Sequence, residues 1–136
     1  MDHSAMDEIV NQHFGFEAAD DVDGVMATLA PGATHHLVGS PLGEVRDPAG
    51  IRGFYEELFA ACEAEGVEPV ARWYGDDFLV DEALWTGQIH DGRLFGLPGR
   101  SGRVTFRLLH VFDLAGGQIR AERVWCDLAA IAAQTT

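Results

Sequence analysis

Three observations predict an α+β domain with its helices gathered on one face of a curved sheet. From Val67 to Asp127 the chain reads as four long antiparallel strands joined by short turns. The segment before them carries apolar residues at helical spacing, and no repeat, low-complexity tract or linker divides the 136 residues. A chain of this length suits one substantial core, so residues 1–136 are expected to form a single domain.

The elements follow in order. Met6 to about Ala19 reads as a helix, with Ile9, Val10, His13, Phe14 and Glu17 three and four residues apart. Asp20 to Gly24 interrupts it, Val25–Leu29 resumes as a short helix, and Pro31-Gly32 ends that one. Ala33–Val38 is a short strand. His35 and His36 are adjacent on it and point to opposite faces, so only one can line an internal site; His36 is set among the candidate contacts. Asp47-Pro48 starts a long helix, Asp as the cap and Pro at the first turn. Ile51, Phe54, Tyr55, Leu58, Phe59 and Cys62 form its apolar stripe, and Gly66 is its expected stop. Strands are then predicted over Val67–Tyr74 and Phe78–Ile89, and an irregular stretch around Leu94-Phe95 can form a flap or a plain connection. Asp127 caps a closing apolar turn, Leu128–Ala132.

The last two strands organise the rest. Both arms of the hairpin Val104–Asp127 are rich in β-branched and aromatic residues, and Gly116-Gly117 supplies the reversal. Alternation puts Phe106, Leu108, His110 and Phe112 on one face of the first arm and Arg120, Glu122, Val124 and Cys126 on one face of the second. If Asp113 pairs with Ile119, His110 lies opposite Glu122, an imidazole beside a carboxylate on a mainly apolar face. Such a pair suits proton transfer, because the acid fixes the imidazole's tautomer and raises its basicity while apolar walls oppose charge. A plain cross-strand hydrogen bond is the competing reading, worth about 0.2–1 kcal/mol to the sheet. His13 either carries protons into a cavity or packs at a helix–sheet seam. Tyr55 is expected to pack rather than offer its hydroxyl.

Composition removes other chemistries. The chain is 47% hydrophobic and 23% charged, with a formal net charge of −13, which repels nucleic acids and anionic membranes. No apolar run spans a membrane, and Met1–Glu8 lacks a basic flank and an apolar segment, so cytoplasmic residence is expected. All nine basic residues are arginine, so lysine Schiff-base and P-loop chemistry are excluded. Ser40 lacks a nucleophile elbow, and Cys62 and Cys126 are too distant in sequence for a metal or redox motif. Neither His35 nor His36 has a third ligand at a familiar spacing, and no metal or cofactor is expected. Acid–base work falls to His, Asp, Glu, Tyr or Cys.

The element order, together with Val111-Phe112, Gly117–Ile119 and Glu122–Asp127, resembles the nuclear-transport-factor-two-like superfamily, and within it the SnoaL-like branch. The resemblance covers almost the whole chain and implies a cone: a strongly curved, mostly antiparallel sheet wrapped around N-terminal helices, enclosing an apolar pocket. Ketosteroid isomerase, scytalone dehydratase, polyketide cyclases and limonene-epoxide hydrolase share that fold, as do binding-only proteins; ketosteroid isomerase uses an aspartate base with a tyrosine and a protonated aspartate at the oxyanion. The resemblance places the cyclase aspartate at Val124 and the hydrolase arginine and second aspartate at Ala83 and Trp85, so neither standard catalytic set is present.

It also implies that positions 83, 85, 106, 108, 110, 122, 124 and 126 face the pocket. His110 and Glu122 are then the catalytic candidates. Trp85, Phe106, Leu108, Val124, Cys126, Trp73, Tyr55, His13 and His36 are the candidate ligand contacts. Arg107, Arg123, Trp125 and Glu82 fall on the outer face, through which the resemblance implies a homodimer. The expected activity is a cofactor-independent isomerase, cyclase or dehydratase acting on a hydrophobic, carbonyl-bearing small molecule. The alternative is a pocket protein that binds such a ligand without turning it over.

Overall fold

A computed structural model of residues 1–136 shows a six-stranded, unclosed sheet curved around the N-terminal helices. The elements are α1 (His3–Ala18), α2 (Val22–Ala27), β1 (Leu29–Leu37), β2 (Glu44–Val45), α3 (Pro48–Ala61), β3 (Cys62–Tyr74), β4 (Phe78–Ile89), a 3₁₀ turn (Arg93–Phe95), β5 (Gly102–Ala115), β6 (Gln118–Cys126) and α4 (Leu128–Gln134). The spatial order is β2-β1-β6-β5-β4-β3, with β1 parallel to β6 and every other pair antiparallel. This is the α+β architecture the sequence predicts.

Side-chain caps set the helix starts. Asp2 accepts from Ala5, Asp21 from Gly24, Asp47 from Gly50 and Asp127 from Ala130, each satisfying a backbone N–H that the first helical turn leaves unpaired. Capping by Asp21 moves the second helix from the expected 25–29 to Val22–Ala27, and Pro31-Gly32 falls inside β1, where the pairing with β6 is irregular. α3 stops at Ala61 rather than Gly66, because from Cys62 onward the chain pairs with β4, Cys62 opposite Ile89. Long-range pairing there overrides local helical spacing. Leu94 and Phe95 form no flap: at 0% and 6% exposure they sit in the main apolar core with α3, β5 and β6.

The hairpin differs from the expected register in an instructive way. Gly116 and Gly117 both have positive φ, so the reversal is a two-residue turn with Ala115 opposite Gln118 and Leu114 opposite Ile119. One step on, Asp113 pairs with Ala121, leaving Arg120 as an extra, exposed residue. The bulge restores the parity that the shorter turn would have reversed. His110 therefore lies opposite Val124, not Glu122, yet Glu122 still shares its inner face.

Candidate active site

A belt of polar side chains crosses the concave, otherwise apolar face of the sheet. Arg72 on β3 pairs in register with Asp81 on β4, and Asp81 with His110 on β5. Glu122 on β6 lies one diagonal from His110 and directly opposite His35 on β1. Helix α1 lies over this belt and brings His13 and Glu17, one turn apart, to the same carboxylate.

Glu122 is the centre, at 1% exposure. Tyr55 donates its hydroxyl to Oε1. His35 Nε2 lies 3.2 Å from that oxygen, and His13 Nε2 and His110 Nε2 lie 3.1 and 3.8 Å from Oε2. The tautomer of His13 follows from its other side. The Thr28 hydroxyl donates to the Val25 carbonyl at 2.6 Å, so it accepts from His13 Nδ1 at 2.8 Å. Nδ1 thus carries a hydrogen, and Nε2 is turned toward Glu122 and, at 3.4 Å, Glu17.

His13 and His110 shift in opposite directions around the same acid. Burial would drive His13 toward neutrality, but the negative charges of Glu122 and Glu17 outweigh it and raise its pKa to about 9. Burial likewise favours a neutral Glu122, yet the charge of His13 and the hydrogen bonds from His13 and His35 hold it well below the usual carboxylate range. For His110 burial dominates: the more distant Glu122 offsets it only in part, His13 and His35 add to it, and the pKa falls to about 4. The carboxylate does raise the basicity of His110 as the sequence predicts, but burial among apolar walls outweighs it. At neutral pH His110 is an uncharged ring, stacked on Phe112 at 5.5 Å between centroids, with Phe14 edge-on at 5.0 Å. The Nδ1 atoms of His110 and of His35 are buried without a hydrogen-bond partner.

A cavity of about 920 Å³ opens over the belt. Its walls include Trp85, Phe106, Leu108, Val124 and Cys126, and His110 and Glu122 lie among them, as the sequence predicts. The other predicted contacts need correction. Trp73 is half exposed and outside the cavity, because the bulge between Pro69 and Ala71 puts Arg72, opposite Asp81, on the inner face instead. His36 is outside as well; it is His35 that shares the buried face with Ala33 and Leu37, the pattern that could have identified it. Tyr55 and His13 are fully buried and line no part of the cavity, acting instead on the far side of Glu122. Arg120 leaves the inner face at the bulge.

Sequence reasoning also missed cavity-lining polar residues. Glu17 is signalled by its four-residue spacing from His13, and Asp81 by its parity with Ala83 and Trp85. Arg72 donates to Asp81 at 2.9 Å and to Asp7 at 2.8 Å, with Asn11 at 3.0 Å. This aspartate–arginine–aspartate cluster comes from α1, β3 and β4, not from positions 83, 85 and 124. His13, Glu17 and Glu122 place one nitrogen and two carboxylate oxygens within 4.8 Å of one another, dense enough for a divalent cation or a shared proton.

The chain belongs to the SnoaL-like domain family, whose model matches residues 10–122. No curated protein matches the sequence. Among solved structures, the chain is similar to a Jannaschia sp. CCS1 protein named as a SnoaL-like polyketide cyclase, with 23% identity, a TM-score of 0.79 and coverage of 96% of this chain and 91% of that one. TsrD from Streptomyces laurentii is similar at 16% identity and a TM-score of 0.77, covering 98% and 96%. An LEH-like epoxide hydrolase of M. tuberculosis is similar at 17% identity and 0.73, covering 96% and 88%. At these identities the likeness is one of fold.

Proposed function

We propose that this SnoaL-like protein is a cofactor-independent acid–base enzyme, of isomerase, cyclase or dehydratase type, acting on a hydrophobic small molecule with a carbonyl group. One observation carries the reading: a buried, ionised glutamate ringed by imidazoles forms the polar floor of an apolar cavity of about 920 Å³. That volume lies at the upper end of the ~300–1,000 Å³ of small-molecule sites and accommodates a polycyclic ligand. His110, which lines the cavity, takes a proton from the carbon beside the carbonyl, and Glu122, 3.8 Å from its Nε2, stabilises the imidazolium formed. Trp85 and Phe106, with ring centroids 5.3 Å apart and planes inclined by 37°, supply an aromatic wall for the ligand. The names of similar proteins, a polyketide cyclase and an epoxide hydrolase, support small-molecule chemistry of this kind.

A second reading, ligand binding without turnover, is favoured by the pKa of about 4 for His110, which makes it a weak base at neutral pH. His110→Ala separates the two. An enzyme loses turnover by about 10²-fold or more while ligand affinity stays within a few-fold; a binding protein shows no turnover in either form, and the substitution only weakens binding.

A further inference from the structure

At its β3–β4 end the polar belt carries an acid that the protein only half engages. Asp81 is more than nine-tenths buried, at 6% exposure. Its Oδ2 accepts from Arg72 Nε at 2.9 Å, while its Oδ1 accepts from no protein group and is not sealed from the cavity that Asp81 lines. Arg72 is shared: its Nη1 donates to Asp7 at 2.8 Å and to Asn11 at 3.0 Å, and Asp7 also takes the Tyr74 hydroxyl at 2.7 Å. One guanidinium thus serves two carboxylates, and Asp81 keeps a free acceptor in a place where buried charges are ordinarily paired.

The rest of the cavity does not supply the missing positive charge. Its wall holds the carboxylates of Glu17, Asp20, Glu65, Asp81 and Glu122, and Arg72 is its one arginine. Arg103 reaches Glu65 from outside at 2.9 Å. Even with His13, His35 and His110 all counted as cations beside these two arginines, the five acids and Asp7 outnumber them. The walls between these charges include the rings of Phe14, Phe54, Phe59, Trp85, Phe95 and Phe106. Carboxylates focused in a low-dielectric cleft, with aromatic faces beside them, favour an organic cation.

We propose that the ligand of this cavity carries an ammonium group and that Asp81 Oδ1 receives it. This rests on the cavity being the small-molecule site described above, and it narrows the substrate class to amino ketones. The register of the sheet sets where the charge lies. Asp81 stands directly opposite His110, both on the inner face, so the two side chains are about 5 Å apart, one strand spacing. Trp85 shares that face four residues on, about 13 Å along β4. The ligand therefore lays its apolar body against Trp85 and Phe106 and turns its amine toward Asp81, close to the carbon that His110 deprotonates. An ammonium so near also stabilises the negative charge that develops when that proton leaves.

The test is calorimetric titration of the wild type with three probes of one skeleton: 2-aminotetralin, 2-tetralol and tetralin-2-carboxylate. The amine is expected to bind about 10-fold or more tighter than the alcohol and the carboxylate least tightly, with the amine's advantage shrinking as salt is raised. Asp81→Asn, which keeps the side chain's shape, should erase that advantage and leave the affinity for the alcohol within a few-fold. Equal affinity for amine and alcohol, or no binding of the amine, overturns the proposal. Tightest binding of the carboxylate overturns it too, and makes Arg72 the anchor of an anionic ligand. An amine preference that persists in a folded Asp81→Asn protein removes Asp81 from the role. If that variant does not fold, intermolecular NOEs in the wild-type complex decide: the amine-bearing CH of the probe must lie against the His110 ring, and its absence there overturns the placement. Exchange of a neutral ketone's α-protons separates this inference from the one beneath it. Exchange without an amine preference ends the inference and leaves the acid–base reading; an amine preference without exchange does the reverse.

Discussion

Glu122 and His13 each favour the other's charged form, with Glu17 adding to the one effect and His35 to the other. Glu122→Gln removes the nearer of the two carboxylates beside the buried His13 imidazolium, and breaking such a buried pair typically costs about 3–5 kcal/mol. Urea unfolding should show a loss of that order; a change under 1 kcal/mol would mean the pair is not ionised. The pH dependence of stability follows from the same groups. His13 is raised from 6.5 to about 9, so its contribution is complete below 6.5 and disappears as pH rises through 9. Glu17, raised from 4.5 to about 8, is lost in the same direction between those values. His110, depressed from 6.5 to about 4, destabilises the fold as pH falls through that window. Thermal melting should therefore peak on the mildly acidic side of neutrality and decline toward pH 9, and His13→Gln should flatten the alkaline decline.

At the scale of elements, the hairpin shows how much of the site was legible. Alternating apolar residues and the two glycines sufficed to place His110 and Glu122 on the inner face, because parity survives any even shift of register. The register itself was hidden, since nothing local announces that Arg120 bulges out two residues after the turn region. In β1 the choice of His36 over His35 fails for a related reason: the two are adjacent, and one residue of parity exchanges inside for outside. His13 and Tyr55 were recognisable as buried. Their convergence on one carboxylate was not, because it depends on how α1 and α3 cross the sheet. Gly117 offers a clean check on the turn. A side chain there meets no atom within 4 Å, so Gly117→Ala should cost only the left-handed backbone penalty, about 1–2 kcal/mol, measured by denaturant unfolding.

For the whole molecule, the division of labour between the two sheet faces is the main consequence. The concave face carries the belt and the cavity. The convex face carries Trp125, 41% exposed, with the Arg107–Glu82 and Arg123–Asp113 pairs at 3.1 and 2.7 Å. Pairing of two copies through that outer face remains this account's expectation. Sedimentation should give twice the 14.8 kDa chain mass, and Trp125→Glu should shift it to the monomer. A wild type that sediments as a monomer would end that expectation without touching the site.

The most direct test of proton transfer at the belt needs no knowledge of the natural substrate. A cyclic ketone small enough for the cavity, such as 2-tetralone, is incubated with the protein in D₂O, and loss of its α-proton signals is followed by NMR. Exchange well above buffer is expected for the wild type, with its collapse in His110→Ala and Glu122→Gln while the ketone stays bound. Bound ketone that exchanges no faster than in buffer, or at the same rate in all three proteins, would contradict it.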